Sequence, residues 1–348
     1  MFVRARILLV VAALLVAGCI DNFGTPAPSG CADGAPCASV GPSTPASQTS
    51  LTVGLGYIPS VQFAPFYLAL SKGYYAAAGL NVTFQNKADP DLVTLVGQGS
   101  VDIGVADGTS VIPAVSQGIP IKYVATIYGT FPNVVFSKPS AGIITAADLK
   151  GKKIGTPGKY GSSWIMLQAL LGSANLTTAD VQVTEYPQYT QGAALQQGVV
   201  DAATGFTNNE PVQLQLAGVA TTSLHIDQIL ALPGPGLIAG TKILSSNRAA
   251  VQAFVSATLR AMNEIAADPQ VGLDASASFV PEIATARDAQ LAVLQATIAT
   301  WKIPNATGPQ FGAIDTAGWT ASIAYMTKLE LVPNPVTTDQ LVDPSLLP

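Results

Sequence analysis

Short β-rich runs alternate with helical stretches twice over, and this double alternation most limits what the chain can fold into. Strands are expected over 51–56, 81–85, 101–106 and 122–128, with helical patterns between them at 64–78, 91–98 and 110–117. The pattern restarts after Asp148-Leu149-Lys150-Gly151, with strands over 153–156, 181–186, 202–206 and 221–225 and helices over 163–172, 190–197 and 211–216. Strand–helix alternation favours mostly parallel sheets covered by helices on both faces. A break near Phe136–Pro139 and a second near Leu232–Gly236, where Pro-Gly-Pro-Gly punctuates the chain, divide the pattern into two lobes. Lobe one is 51–136 plus 237–348 and lobe two is 137–236, so the expected fold is an α/β pair of lobes around a hinged cleft. After the second break a returning strand over 237–244 and three helices, 246–267, 285–300 and 315–328, complete the first lobe. Ligands of open α/β sheets bind beyond the carboxyl ends of the strands, so the loops that follow the strands are the ones to inspect.

Ahead of the lobes stands a leader. Arg4 and Arg6 precede an apolar run, Ile7 to Ala17, which has the length of a signal-peptide core and is short for a bilayer span. It ends Val16-Ala17-Gly18-Cys19, the pattern of a bacterial lipoprotein signal: 1–18 is expected to be removed and Cys19 lipidated. Residues 19–50 are rich in Pro, Ser, Thr, Gly and Ala and have too few large apolar side chains to offset the entropy of ordering. As a flexible tether such a segment spans roughly 30 Å. Its Cys31 and Cys37 either close a small disulfide loop or stay free; from Ser50 onward there is no cysteine. The chain is 49% hydrophobic and 11% charged with net charge −5, and it has no Lys/Arg cluster, which argues against nucleic acid as a partner. No metal-ligand pattern or catalytic triad is visible, and the lone His225 has no partners for either.

Four stretches carry a family likeness. Residues 56–82 open Gly56-Tyr57-Ile58-Pro59-Ser60-Val61-Gln62-Phe63-Ala64-Pro65-Phe66-Tyr67, and Gly97-Gln98-Gly99-Ser100-Val101-Asp102-Ile103-Gly104 runs on to Asp107. Asp148-Leu149-Lys150-Gly151-Lys152-Lys153-Ile154-Gly155 and Gln197-Gly198-Val199-Val200-Asp201-Ala202-Ala203 follow in order. Together they resemble the substrate-binding proteins of the nitrate, sulfonate and thiamine-pyrimidine superfamily, nearest its thiamine-pyrimidine and riboflavin-binding branch. The resemblance implies a type II periplasmic-binding-protein-like fold, an extracytoplasmic place on the cell membrane, and a permease and an ATPase of an ABC importer as partners. That branch also holds enzymes that make the pyrimidine. The resemblance implies for them a histidine at the position of Phe63, a pyridoxal-bearing lysine at that of Ser100, and a cysteine-rich loop at 232–236. This chain has none of the three, so no enzymatic activity and no cofactor are expected.

Several loops after strands offer ligand contacts. Tyr57 and Phe63 present rings at the first strand-to-helix turn; Phe66 and Tyr67 read as core. Asp107 and Thr109 open a helix and serve as cap, as ligand contact, or as both. In the loop 156–164, small residues and a helix start bring Tyr160, Ser162 and Ser163 forward, suiting phosphate or hydroxyls; the Gly-Lys-Ser/Thr ending of a P-loop is absent. Phe206, Asn208, Asn209 and Glu210 follow another strand with amide donors and acceptors for a heterocycle edge, and Asn209 is also placed to cap the next helix. After the leader only Arg248, Arg260 and Arg287 remain, all in C-terminal helices, and Lys159 is the one cation of these loops. The expected ligand is therefore neutral, flat and hydroxylated. The branch offers riboflavin, the preferred expectation, and a thiamine pyrimidine precursor; an importer component, a pyrimidine-making enzyme and a sensor are the competing classes.

Overall fold

The structure is a computed structural model that describes residues 48–87, 89–229, 232–303 and 311–348. The leader, Cys19, Cys31, Cys37 and the tether up to Ser47 lie outside the described residues. Among the described residues ten strands form two five-stranded sheets. β1 (Thr49–Leu55), β2 (Leu80–Asn86), β3 (Ile103–Ala106) and β4 (Ile121–Thr126) belong to the first. β5 (Asn133–Ser137), β6 (Lys153–Thr156), β7 (Gln182–Glu185), β8 (Ala202–Phe206) and β9 (Thr222–His225) form the second, and β10 (Gly236–Gly240) returns to the first. The orders are β2-β1-β3-β10-β4 and β7-β6-β8-β5-β9. Within each sheet three neighbouring strands run parallel, and the strand that has just arrived from the other lobe, β10 or β5, runs antiparallel to both of its neighbours.

Burial follows position in the sheet. The central strands β3, β5 and β10 are buried at every residue, as strands covered on both faces must be, whereas edge strand β2 alternates buried and exposed along its first half. Along β5 the side chains alternate between two cores, Val135 toward the helix Gly161–Ser173 and Val134 and Phe136 toward the helices Gln191–Gln197 and Glu210–Leu216. The first sheet is likewise sandwiched, by the helices Ala64–Ser71 and Arg248–Ala267 on one face and Asp89–Gln98 and Gly108–Ser116 on the other. Its outer strand β4 is shielded by bridges from Tyr123 to Val342 and from Thr126 to Gly312.

The sequence expectations are corrected at four places. Asn133–Ser137 is a strand of the second sheet, so the first crossing falls between Thr126 and Asn133, ahead of 136–139. Pro132 and Pro139 punctuate both ends of that strand and hide it. The helix expected over 64–78 is two, Ala64–Ser71 and Tyr74–Ala77, because Gly73 takes a left-handed backbone (φ 69°). The returning strand stops at Gly240, where the chain turns into the helix Thr241–Ser246. An additional helix, Pro269–Phe279, starts on Asp268, whose side chain caps Gln270 N–H.

Candidate functional site

A cavity of about 940 Å³, counted out to its open mouth, lies between the lobes at the carboxyl ends of β1, β3, β6 and β8. Six aromatic rings line it: Tyr57, Phe63, Tyr128, Tyr160, Tyr189 and Phe206. Two acids, Asp107 and Glu210, share the wall, and no lysine or arginine lines it among the described residues.

Tyr57 enters from the first lobe and meets Tyr189 of the second edge-to-face, with ring centroids 4.6 Å apart. Burial pushes its phenol well above the usual range; the nearby Glu210 and Tyr189 add to that, and a hydrogen bond with Asn209 opposes it. Phe63 is buried and joins the first-lobe core through Phe66, so it is wall and core together. Asp107 caps the helix Gly108–Ser116, accepting from Thr109 N–H at 2.9 Å and Ser110 N–H at 3.2 Å, and it also lines the cavity. Burial pushes its carboxyl above the ordinary value against hydrogen bonds from Thr109 and Ser162.

On the second lobe, Gly161, Ser162 and Ser163 begin the helix Gly161–Ser173 at the cavity wall. The Asn133 amide donates to both hydroxyls, at 3.2 and 3.0 Å. Tyr160, beside them, is 45% exposed, an aromatic at the rim. Glu210 lies under β8: Oε2 accepts from Phe206 N–H at 2.9 Å and Oε1 from Gln191 Nε2 at 3.1 Å. Gly205 makes this possible, since a Cβ there would stand 2.6 Å from Glu210 Oε2. Burial raises the Glu210 carboxyl from 4.5 to about 7, against the hydrogen bond from Phe206. Buried Gln191 lines the cavity with its Oε1 unpartnered.

Nine of the eleven expected contacts therefore converge on one cavity. Thr109 and Asn208 do not line it. Thr109 is fully buried and turned back onto Asp107. Asn208 points away, donating to Gln62 Oε1 at 3.0 Å and Thr297 Oγ1 at 2.8 Å, both on the first lobe; it is a strut between the lobes. Asn209 sits at the helix N-cap position, but its side chain does not cap: Oδ1 accepts from Gln213 Nε2 at 2.6 Å. Gln62, Tyr128, Tyr189 and Gln191 were not anticipated. Gln62 comes from the short 3-10 turn Val61–Phe63 and Tyr128 from the first crossing. Tyr189 is aimed by a left-handed backbone, φ 58°, which sequence pattern does not signal. Of the positions used to weigh enzyme chemistry, Phe63 and Pro235 are in the wall, but Ser100 is exposed before the amino end of β3, outside the cavity.

Two α/β lobes with this strand order and a cleft between them define a periplasmic-binding-protein-like fold. The periplasmic aliphatic sulphonate binding protein SsuA of Escherichia coli shares it, with TM-score 0.65 and 20% identity over 85% of this chain and 98% of that one. The chain belongs to the NMT1/THI5-like family, whose model matches residues 60–271. It is 34% identical over 320 residues to the riboflavin-binding protein RibY of Chloroflexus aurantiacus, covering 90% of each chain. It is also 29% identical over 236 residues to the 4-amino-5-hydroxymethyl-2-methylpyrimidine phosphate synthase of Aspergillus parasiticus, covering 64% of this chain and 68% of that one. No helix among the described residues is long and apolar enough to cross a membrane, and none of their His, Cys, Asp and Glu side chains group in threes that could hold a metal ion.

Proposed function

We propose that the protein is the solute-binding component of an ABC importer, lipid-anchored through Cys19 on the extracytoplasmic face, and that it captures riboflavin. One observation carries the ligand: a cleft walled by six aromatic rings and lined, among the described residues, by no lysine or arginine. A flat tricyclic ring fits between such faces by offset or edge contact. The Asn209 amide, Glu210 and the free Gln191 Oε1 face a heterocycle edge that carries an N–H, and Ser162 and Ser163 face a hydroxylated tail. The relative from Chloroflexus aurantiacus, which bears the name of a riboflavin-binding protein, supports the same reading. Binding without catalysis is in keeping with Phe63 in the wall and with the cysteine-free stretch 232–236 at the second crossing, where Leu232 is core and Pro235 is wall.

A thiamine pyrimidine precursor is the second reading. The acceptors Glu210 Oε1 and Gln191 Oε1 favour it, because an exocyclic amino group would donate to them. Titration of the purified protein decides between them. Quenching of flavin emission at stoichiometric riboflavin is expected; calorimetric heat with the pyrimidine and no quenching by riboflavin would overturn the first reading.

A further inference from the structure

We infer that Gln191 is a specificity-determining residue of the cleft: it holds out a fixed acceptor that a ligand satisfies only by bringing an N–H at its heterocycle edge. The inference rests on the heterocyclic ligand proposed above. Gln191 is the first residue of the helix Gln191–Gln197, lines the cavity and is fully buried. Its Nε2 donates to the Thr204 carbonyl of β8 and to Glu210 Oε1, both at 3.1 Å. Both N–H groups of the amide are thereby used. Turned over, the amide would set Oε1 against those same two oxygens. A backbone carbonyl only accepts, so Thr204 holds this orientation whether or not the Glu210 carboxyl carries a proton. Only Oε1 is left for a ligand.

Among the described residues four buried side-chain polar atoms lack a partner, and Gln191 Oε1 is the one whose residue lines the cavity. A buried acceptor left unpaired costs stability, and tying the helix to β8 needs only the N–H groups. A donor that arrives with the ligand accounts for the oxygen. The neighbouring strands are cut back to seat the amide and its support. A Cβ on Gly155 of β6 would stand 3.2 Å from Gln191 Cβ, and one on Gly205 of β8 would stand 2.6 Å from Glu210 Oε2. Glu210 is then a positioning residue: Oε2 accepts from Phe206 N–H and Oε1 from Gln191, so it steadies the amide that reads the ligand.

The test compares riboflavin, whose imide N–H lies between two carbonyls, with 3-methylriboflavin, in which a methyl group replaces that hydrogen. Flavin-emission quenching on the purified full-length protein reads both affinities. Wild type is expected to prefer riboflavin by about 30-fold, the scale of leaving a buried acceptor unpaired. Gln191→Met keeps the side-chain volume and loses the acceptor; it should shrink that preference to about threefold or less, chiefly by weakening riboflavin. A side chain that only ties helix to strand would lower both affinities alike and leave the ratio where it was. Gln191→Leu should act like Gln191→Met and decides the matter if the latter does not fold. Glu210→Gln should lower the preference less than either, because the Thr204 carbonyl still holds the Gln191 amide. Equal wild-type affinity for both flavins, an unchanged ratio in the Gln191 variants, or a larger loss in Glu210→Gln would overturn the proposal and leave the riboflavin reading intact. If wild type binds neither flavin, it is the riboflavin reading that fails. The same ratio for hydroxymethylpyrimidine against its 4-dimethylamino analogue, read by calorimetry, then decides the role of Gln191: a preference that Gln191→Met reduces supports it, and one that Gln191→Met leaves intact overturns it.

Discussion

Replacing Glu210 with Gln should remove a pH dependence of stability that the wild-type fold carries. The Glu210 carboxyl is held at the cavity wall by Phe206 N–H and Gln191 Nε2, and burial raises it from 4.5 to about 7. That rise from 4.5 to about 7 corresponds to about 3–4 kcal/mol. Its sign follows from proton counting. Below pH ~4.5 both folded and unfolded chains hold the proton, and the group's stabilisation is fully present. Between pH ~4.5 and ~7 the unfolded chain releases it while the folded chain keeps it, so stability falls as pH rises, and above pH ~7 the loss is complete. In Glu210→Gln one side-chain oxygen still accepts from Phe206 N–H, but the new amide faces the Gln191 amide donor to donor. This costs about 1–2 kcal/mol and does not change with pH.

The variant should therefore be less stable than wild type at low pH and should recover as pH rises, the gap changing by up to about 3–4 kcal/mol. Urea unfolding of both ligand-free proteins at intervals from pH 4.5 to 8 measures that gap, and subtraction cancels every titrating group the two share. A gap that stays level across this range would refute the account of Glu210 as a desolvated carboxyl.

Three further outcomes follow from the geometry. Tyr57→Ala removes the ring that bridges to Tyr189 across the cavity and should weaken riboflavin binding by ~1–3 kcal/mol, read as a shift in the quenching curve. Unaltered affinity would put the flavin ring elsewhere in the cleft. Asn208→Ala breaks two buried hydrogen bonds between the lobes and should lower unfolding stability by about 1–3 kcal/mol while speeding ligand release; an unchanged unfolding midpoint would show that the strut carries no load. Cys19→Ala should move the protein from the membrane fraction to the soluble extracytoplasmic fraction, and its retention on membranes would sink the anchor.

The framework was legible because it depends on continuity of apolar residues. β6 and β8 match the expected bounds and β3 its core, since buried strands read as short apolar runs between Gly and polar punctuation. The loops after β1, β3, β6 and β8 were legible as a site for a different reason: α/β geometry puts the carboxyl ends of parallel strands at the cleft whatever their sequence. What remained hidden depends on backbone turns. Gln62 faces the cavity because a 3-10 turn precedes the helix Ala64–Ser71, and Tyr189 because its φ is positive; neither leaves a periodic trace. Asn133 was passed over with the strand it begins, and with it the amide that fixes Ser162 and Ser163.

The loop after β8 shows why naming a loop is not the same as naming a contact. Asn208, Asn209 and Glu210 are consecutive, yet the turn sends the first to Gln62 and Thr297 of the opposite lobe and the other two to the cavity. Lobe contact and ligand recognition thus hang on one short segment. Whatever shifts Asn209 and Glu210 on filling the cavity also bears on the Asn208 bonds, which coupled neighbours make non-additive. An affinity scan alone would score all three residues as ligand contacts. Double-mutant cycles against Gln62 separate them: Asn208→Ala should couple strongly to Gln62→Ala in the ligand-free protein, where Glu210→Gln should not. A coupling of similar size for both variants would mean that the turn moves as one body and that the division between strut and site is not real.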